Sequence, residues 1–272
     1  MTQQTLQFVK NIDRPDTGAP ARPSDSQLDS YYIWTVGCQM NKADSERLGV
    51  ALNQMGLKEA PSMGEAQVIV LNSCVVRQSA EDKVTGTLGL IKPLRLANPS
   101  RILAVMGCMV GPDQTSLKKR FPYVDVFMRP QDYVPLLDIV GERLNVDWEG
   151  CVGTLVSKEP NVSAYVPIIH GCDLFCSFCI IPYRRGRQVS RSIEDIAHEV
   201  QLLAARGVRE VTLLGQTVDA YGADLSSQPD LADLLYELNE ISNLERIRFL
   251  TSHPMFMTDR IIQAVAELPK VC

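Results

Sequence analysis

The sequence predicts an α/β protein in which a doubly wound parallel-sheet domain is followed by the first part of a (β/α) barrel. After the first 28 residues, short apolar runs of strand length alternate with stretches of helical periodicity. Such alternation is typical of parallel sheets covered by helices. It is interrupted once, by a loose stretch that contains glycine and proline, and this interruption divides the chain into two domains.

Length and charge narrow the functional classes. The chain has 272 residues and a formal net charge of −5, which suits two globular domains and excludes a broad basic surface for nucleic acid. A nucleic-acid partner would therefore be held by local patches or by groups outside the chain. No apolar run reaches the roughly 18 residues of a membrane helix, and the N-terminus lacks the apolar stretch of a signal peptide. We therefore expect a cytoplasmic protein with no membrane partner.

The first domain is predicted to span residues 29–145, after a disordered, proline-containing leader at 1–28. Its strands and helices alternate strictly. The predicted strands are YYIWTVGC, AQVIVLNSC, SRILAVMGC and VDVFM, and the predicted helices are KADSERLGVALNQMG, about 75–97, PDQTSLKKRF and about 131–144. Gly56 stands where a glycine would terminate the first helix.

A linker is predicted at residues 146–157, and a second series of elements fills residues 158–272. The predicted strands are SAYVPIIHGC, VREVTLLGQ and ERIRFLTS, and the predicted helices are SIEDIAHEVQLLAARG, LADLLYELNEIS and IIQAVAEL. Ser192 is expected to cap the first of these helices. Three strand–helix units are the opening of a (β/α) barrel, and we expect the chain to be a fragment of a longer protein.

Three cysteines follow the first predicted barrel strand. They have the spacing C-x3-C-x2-C and are Cys172, Cys176 and Cys179. We call them the second triad, because three other cysteines come earlier in the chain. They lie at the strand end where barrel enzymes build their active sites. A structural zinc ion requires four protein ligands, and only His170 could supply the fourth. An iron–sulfur cluster held by three thiolates instead leaves one iron open to a small molecule. The spacing therefore favours a [4Fe–4S] cluster.

The open iron suggests a use. The amino and carboxylate groups of an amino acid could bind it, and a reducing cluster could pass one electron to a sulfonium group, which is the radical chemistry of S-adenosylmethionine. Phe178 is a candidate wall for the adenine ring of that cofactor. The alternative for Phe178 is an ordinary aromatic residue of the core.

Three further cysteines end consecutive predicted strands of the first domain. Cys38, Cys74 and Cys108, the first triad, stand in TVGC, LNSC and VMGC. Since the carboxyl ends of parallel strands face one crevice, these residues are predicted to converge although they are distant in sequence. The alternative is three separately buried thiols, because free cysteine is often buried. Cys151 and Cys272 belong to neither triad.

A basic run follows the second triad and supplies Arg184, Arg185, Arg187 and Arg191. These guanidinium groups are candidates to offset the charge of a cluster, to hold the cofactor carboxylate or to bind nucleic-acid phosphates. A solvated charged loop is the alternative for about half of them.

With these residues the chain resembles the methylthiotransferases, a family of radical S-adenosylmethionine enzymes with two [4Fe–4S] clusters. The matching motifs extend over residues 31–272, and GCQMNKADSER, NSCVVRQSAEDKVTGTLG and CSFCIIPYRRGRQVSR are closest to the branch that modifies N6-prenylated adenosine in tRNA. The chain departs from the family at four positions. Ser73, Gln78, Gln188 and Thr217 stand where threonine, glutamate, glutamate and asparagine are usual.

The resemblance implies an enzyme that inserts sulfur and a methyl group at C2 of prenylated adenosine 37, near the anticodon. The second triad would hold the cluster that cleaves S-adenosylmethionine to a 5′-deoxyadenosyl radical. The first triad would hold an auxiliary cluster that carries the sulfur. Gly215 and Gln216, at the end of the second barrel strand, would contact the amino group of the cofactor.

The resemblance also implies partners. These are the tRNA anticodon stem–loop and a one-electron reductant such as a flavodoxin or ferredoxin system, and we expect a monomer. Family members of full length continue through the rest of the barrel to a small RNA-binding β domain, which we expect to lie outside this sequence.

Three alternatives stay open at this point. The substrate could be that of a sister branch, either threonylcarbamoyl-adenosine in tRNA or an aspartate of a small-subunit ribosomal protein. The six cysteines could instead hold structural zinc in a binding module without catalytic activity. A half-barrel could also fold poorly alone, because it exposes strand edges.

Overall fold

The structure is a computed structural model that describes residues 28–76, 78–151, 155–156 and 160–272. The chain divides into two compact units, Met1–Leu155 and Val156–Cys272. The expected disordered leader lies outside the described residues except for Leu28, which is buried in the core of the first unit. The predicted linker is described only in part and contains a short helix.

The first unit alternates strands with helices, as predicted. Its elements are β1 (Ser30–Val36), α1 (Gln39–Gln54), β2 (Lys58–Glu59), β3 (Val68–Ser73), α2 (Gln78–Ala97), β4 (Ile102–Gly107), α3 (Thr115–Arg120), β5 (Val126–Met128), α4 (Val134–Leu144) and α5 (Trp148–Cys151). Gly56 has φ +94° immediately after the last turn of α1, so it terminates that helix in the way its position predicts.

The strands of the first unit form one parallel sheet in the order β2-β1-β3-β4-β5. Successive residues of a strand point to opposite faces. Along β3, Val68 and Val70 pack in one core with α1 and α4, whereas Ile69 and Leu71 pack in a second core with α2. Helices therefore cover both faces, and the prediction of a doubly wound domain is confirmed.

Two features of the first unit differ from the expectation. Strand β2 was not predicted, since two exposed residues are too few to show a strand period. Helix α2 begins at Gln78 instead of about Val75. Residues 74–76 form the chain leaving β3 instead, where the Val76 amide donates to the Cys74 sulfur at 3.4 Å.

The second unit has its own parallel sheet and one short ribbon. Its elements are β6 (Ser163–Pro167), β7 (Ile169–His170), α6 (Ile181–Arg185), β8 (Val189–Ser190), α7 (Ile193–Ala205), β9 (Glu210–Leu214), a 3₁₀ turn (Val218–Ala220), α8 (Leu231–Asn239), β10 (Arg246–Leu250) and α9 (Asp259–Glu267). The parallel sheet has the order β10-β9-β6, and β7 pairs with β8 in an antiparallel ribbon.

The expected single strand SAYVPIIHGC is two strands in the structure. Residues 163–167 pair with β9, and the Ile168 amide still donates to the carbonyl of Leu214 at 2.9 Å. Ile169 and His170 then leave the sheet, because they pair with Ser190 and Val189. The chain segment that carries the second triad is therefore held by a ribbon of its own.

The parallel sheet of the second unit grows by repeated strand–helix steps. Its core contains Val166, Leu213 and Ile247 from the three strands, packed with residues of α7, α8 and α9. After α9, Val271 forms a parallel bridge with Ile247. The chain thus returns to the sheet beside β10, which is the arrangement predicted for the first part of a (β/α) barrel.

Among the residues that the structure describes, no helix combines the length and the apolar character needed to cross a membrane.

We predict that Ser192→Ala weakens the second unit. The Ser192 hydroxyl accepts a hydrogen bond from the Asp195 amide at 3.1 Å at the start of α7, and loss of such a cap costs about 1 kcal/mol. The free energy of unfolding, measured with urea and circular dichroism, should fall by that amount. Ser226→Ala is the control, since Ser226 is exposed in a turn; an equal loss in both variants would contradict the role of the cap.

Candidate functional site

The register of the first sheet brings the first triad together. Val36 of β1 is paired with Ser73 of β3, and Ser73 is paired with Gly107 of β4. These three residues form one row across the carboxyl end of the sheet, and each is followed within two residues by a cysteine of the first triad. The row includes the point where the strand order reverses, between β1 and β3, which is where open α/β sheets bind ligands.

The thiols of the first triad influence one another. Cys74 and Cys108 are buried, and Cys38 is exposed. The pKa of the Cys74 thiol is raised by a hydrogen bond with Cys38, by burial, and by the negative charge that Cys108 and Cys38 would carry as thiolates. The structure therefore brings all three predicted cysteines into one site, where ionised thiols would need a nearby positive charge.

Buried amides lie beneath the first triad. The Oδ1 atom of Asn41 accepts from the amide of Cys38 at 3.4 Å and from its thiol at 3.2 Å. The Nδ2 atom of Asn41 donates to Oδ1 of Asn72 at 2.8 Å. Asn72 in turn donates to the carbonyl of Asn41 and to Oγ of Ser45. Both asparagines are fully buried, so the first triad rests on an internal polar network.

The donor set of the first triad fits an iron–sulfur cluster. Among the described residues, no group of three or more His, Cys, Asp or Glu side chains is arranged to hold a single metal ion. A cubane cluster has a different requirement, because each thiolate binds its own iron and the sulfur atoms need not converge on one point. Three thiols on three adjacent strand ends suit that requirement.

The second triad lies in one loop between β7 and α6. Cys172 is buried, and Cys176 and Cys179 are partly buried. A turn joins the last two, because the amide of Cys179 donates to the carbonyl of Cys176 at 2.9 Å. The amide of Cys172 donates to the carbonyl of Gly186 at 3.2 Å. Three thiols in a short loop, fixed at both ends, also fit a cluster with one open iron.

A glycine allows the close approach at the start of this loop. Gly171 has φ +65°, and a Cβ atom there would lie 2.1 Å from the carbonyl oxygen of Arg187. A side chain at position 171 would therefore push the returning chain away from Cys172.

The loop after β9 reaches the second triad. Oγ1 of Thr217 lies 3.5 Å from the sulfur of Cys172. Gly215 is buried and Gln216 is half-buried, and both precede Thr217 at the carboxyl end of the sheet. Phe178 is 91% exposed, so it is available to a ligand and is not an aromatic residue of the core. The adenine-wall role of Phe178 stays a prediction.

A carboxylate connects the same loop to the ribbon of β7 and β8. Asp224 accepts from the amide and hydroxyl of Ser190 at 2.7 and 2.6 Å, and from Nε2 of Gln188 at 3.0 Å. Burial raises the pKa of the Asp224 carboxyl, but these hydrogen bonds outweigh it and hold the pKa below its usual value. The backbone N–H of Gln188 also donates to Oδ1 of Asp173, the residue after Cys172, at 2.9 Å.

The four predicted arginines have different surroundings. Arg191 is largely buried, forms an ion pair with Glu199 at 2.7 Å and donates to the carbonyl of Pro167. This position serves the fold and leaves its guanidinium little access to a phosphate. Arg187 is exposed, lies 3.1 Å from Asp173 and stacks over Phe175. Arg184 and Arg185 belong to α6 and are partly buried. We therefore retain Arg184, Arg185 and Arg187 as phosphate candidates.

The sequence revealed all six cysteines of the two triads but missed most of the residues around them. The missed residues are Thr35, Ser45, Asn72, Asp173, Ser190, Glu199 and Asp224. One signal was available for Asn72, which is a polar residue near the end of the otherwise apolar run VIVLNS. The others gave no such signal, because their partners are distant in sequence.

Comparison with known protein families divides the chain in the same way as the fold. Residues 30–129 match an uncharacterized protein family, UPF0004, and residues 166–271 match the radical SAM superfamily. The first match covers the strands that carry the first triad, and the second covers the second triad.

Curated relatives share both parts of the chain. The tRNA-2-methylthio-N(6)-dimethylallyladenosine synthase of Dehalococcoides mccartyi is 47% identical over 246 residues, which are 90% of this chain and 56% of that protein. The enzymes of the same name from Roseiflexus sp. and Chloroflexus aurantiacus are 47% and 44% identical, over 88% and 98% of this chain and 51% and 56% of their own lengths. The chain spans about half the length of the curated relatives it matches.

A solved structure supports the fold. The radical S-adenosylmethionine methyltransferase TsrM of Kitasatospora setae, solved with cobalamin and a [4Fe–4S] cluster bound, superposes with a TM-score of 0.58 and 12% identity, over 90% of this chain and 60% of that chain. At this level of identity the similarity concerns the fold alone.

We predict that Asp224→Asn changes how the stability of the apoprotein depends on pH. The folded-state pKa of Asp224 is lowered, so its contribution is present above the usual aspartate pKa of about 3.9 and is lost as pH falls through the folded value. The variant lacks this contribution at every pH. At neutral pH it should be about 1 kcal/mol less stable, because hydrogen bonds to a charged acceptor are lost.

Calorimetric unfolding at several pH values from about 6 to 3 measures this dependence. The stability difference between wild type and Asp224→Asn should shrink as the medium becomes acidic. Glu237→Gln, at an exposed position of α8, should parallel wild type. A constant difference at all pH values would show that Asp224 is not held ionised by its neighbours.

Proposed function

We propose that this chain, which belongs to the methylthiotransferase family of radical S-adenosylmethionine enzymes, forms part of a tRNA-modifying enzyme. The proposed reaction inserts sulfur and a methyl group at C2 of N6-prenylated adenosine 37, near the anticodon. The substrate is proposed from the relatives, whose names specify this nucleoside and which share 44–47% identity with the chain.

One observation carries the proposal. The chain has two separate sets of three cysteines, each at the carboxyl end of a parallel sheet. A single radical reaction needs only one cluster with an open iron. A second set of three thiols supports a reaction that also delivers a sulfur atom. We therefore propose two [4Fe–4S] clusters and S-adenosylmethionine as the cofactors.

The second triad is proposed to hold the cluster that acts on the cofactor. When bound, a reduced cluster with an open iron supplies the electron that cleaves S-adenosylmethionine. Thr217 contacts Cys172, so the loop after β9 lies beside this position. Gly215 and Gln216, in the same loop, are proposed to receive the amino group of the cofactor. Phe178 is proposed to cover its adenine ring.

The first triad is proposed to hold the auxiliary cluster. Its open iron would supply a binding place for the sulfur before transfer. The chain contributes two buried thiols, one exposed thiol and the amide network that carries Cys38. The exposure of Cys38 supports this assignment, because a cluster that delivers sulfur must be accessible to a substrate.

The anticodon stem–loop of a tRNA is the proposed macromolecular partner. Arg184, Arg185 and Arg187 are proposed to bind its phosphates, next to the second triad. The chain carries a net charge of −5, so binding must rely on such local groups. The target adenosine would leave the base stack to reach the strand ends, as enzymes that act on bases require.

Several further assignments belong to the same proposal. The domain limits are 29–145 for the first domain, 146–157 for the linker and 158–272 for the part of the radical S-adenosylmethionine domain in this sequence. The electron donor is a flavodoxin or ferredoxin system. The protein is a monomer and acts in the cytoplasm.

Analysis of tRNA nucleosides tests the proposed function. In a strain that lacks the gene, mass spectrometry should detect prenylated adenosine without its methylthio group, while the methylthio form of threonylcarbamoyl-adenosine is unchanged. The intact gene should restore the modification, and a gene with Cys108→Ala or Cys176→Ala should not. Cys272→Ala should restore it, because Cys272 is exposed and lies outside both triads.

Two results would contradict the proposal. Loss of the methylthio group from threonylcarbamoyl-adenosine alone would assign the chain to a sister branch. Full restoration by Cys108→Ala would exclude the first triad from the reaction.

A further inference from the structure

Asn72 is the common neighbour of the three chain segments that carry the first triad. It is the penultimate residue of β3, two positions before Cys74. Its Oδ1 atom accepts from Nδ2 of Asn41 at 2.8 Å, and Oδ1 of Asn41 contacts both the amide and the thiol of Cys38. A single asparagine thus connects two of the three cysteine segments through hydrogen bonds.

The third segment packs directly against Asn72. Gly107 ends β4 next to Cys108 and has φ +103°. A Cβ atom at position 107 would lie 2.4 Å from Oδ1 of Asn72 and 2.4 Å from the carbonyl oxygen of Ser73. The backbone before Cys108 can therefore touch the Asn72 side chain only because residue 107 has no side chain.

The orientation of the Asn72 amide is fixed by its surroundings. Its Nδ2 atom donates to the carbonyl of Asn41 at 2.8 Å and to Oγ of Ser45 at 2.9 Å. Oγ of Ser45 is also 2.7 Å from Oγ1 of Thr35. The side chain is fully buried, so reversal of the amide would leave several polar atoms without partners in a place that water does not reach. Asn72 therefore holds one orientation.

This rigidity matters for a cluster built from distant residues. Each thiolate must reach its own iron, so the three segments must keep a fixed spacing. Residues that orient metal ligands from behind affect binding by about 10- to 100-fold when they are changed. In the first triad the pairing of the strands sets the distances between the strand ends. The positions of the cysteines can then vary only through the conformation of the chain near each strand end. Asn72 hydrogen-bonds Asn41, which contacts Cys38. It also lies in β3 two residues before Cys74 and against Gly107, the residue before Cys108.

We propose that Asn72 is the positioning residue of the first triad, which sets the spacing of Cys38, Cys74 and Cys108 so that they bind one cluster. This proposal rests on the proposed function for one point, which is that the group bound by the first triad is an iron–sulfur cluster. It assigns to Asn72 no contact with substrate, cofactor or iron.

The test isolates the first cluster. The parent protein is the full chain in which Cys172, Cys176 and Cys179 are alanine, so that a cluster can form only at the first triad. Asn72→Ala is introduced into this parent. Val140→Ala is the matched control, since Val140 is fully buried in a core of the same unit and removal of its methyl groups also lowers stability. Urea unfolding identifies conditions in which both variants remain folded.

Two measurements follow anaerobic reconstitution with iron and sulfide. The rate of iron release to a chelator should rise about tenfold or more in Asn72→Ala and stay near the parent value in Val140→Ala. The EPR spectrum of the reduced cluster should shift or broaden in Asn72→Ala only, because the thiolates no longer have one fixed arrangement.

Equal iron release and identical EPR spectra in the parent and Asn72→Ala would overturn the proposal. Equal acceleration in Asn72→Ala and Val140→Ala would also overturn it, since the effect would then follow stability alone. The proposed function and the role of Asn72 fail in different experiments. If the first cluster binds normally but the tRNA modification does not depend on the gene, the proposed function is wrong and the role of Asn72 still stands.

Discussion

The in-register parallel pairing of β1, β3 and β4 is the constraint on which the first site depends. Cys38, Cys74 and Cys108 are separated by more than thirty residues at each step, and no local motif could bring them together. The pairing of Val36 with Ser73 and of Ser73 with Gly107 does so. A shift of one residue in either pair would move a cysteine along the sheet edge and turn its side chain to the other face.

The two triads are assembled in different ways. The second triad is local, since its cysteines lie within one loop that the ribbon of β7 and β8 closes. Its rigidity comes from backbone contacts, such as the bond from Cys172 to Gly186. The first triad is assembled from three strand ends, and its rigidity comes from a buried network of amides and hydroxyls. Loss of a single loop contact should therefore affect the second triad locally, whereas loss of an amide in the first triad affects three segments.

The sequence predicted the features that depend on local patterns. Apolar runs located the longer strands, so the cysteines that follow them could be assigned to strand ends, and Gly56 and Ser192 marked helix ends correctly. Strand β2 was too short to show a period. The break in SAYVPIIHGC was missed because it depends on pairing with residues 189–190, about twenty positions later.

Side-chain partners were the other limit of sequence reasoning. Arg191 was grouped with the neighbouring arginines, but it pairs with Glu199 on the next helix. Asp224 and Asn72 gave little signal, since each acts through residues that only the fold brings near. Gln188 stands where the family usually has glutamate. Its side-chain amide donates to the carbonyl of Ala220 and to the carboxylate of Asp224. An amide suits this position, where both neighbours are acceptors.

The number of clusters held by one chain tests the central claim most directly. Native mass spectrometry of the anaerobically reconstituted chain should show the mass of two [4Fe–4S] clusters in the wild type. It should show one cluster when the cysteines of either triad are replaced by alanine. A wild-type chain that binds a single cluster, lost only when the second triad is replaced, would contradict the account of two open thiolate sites.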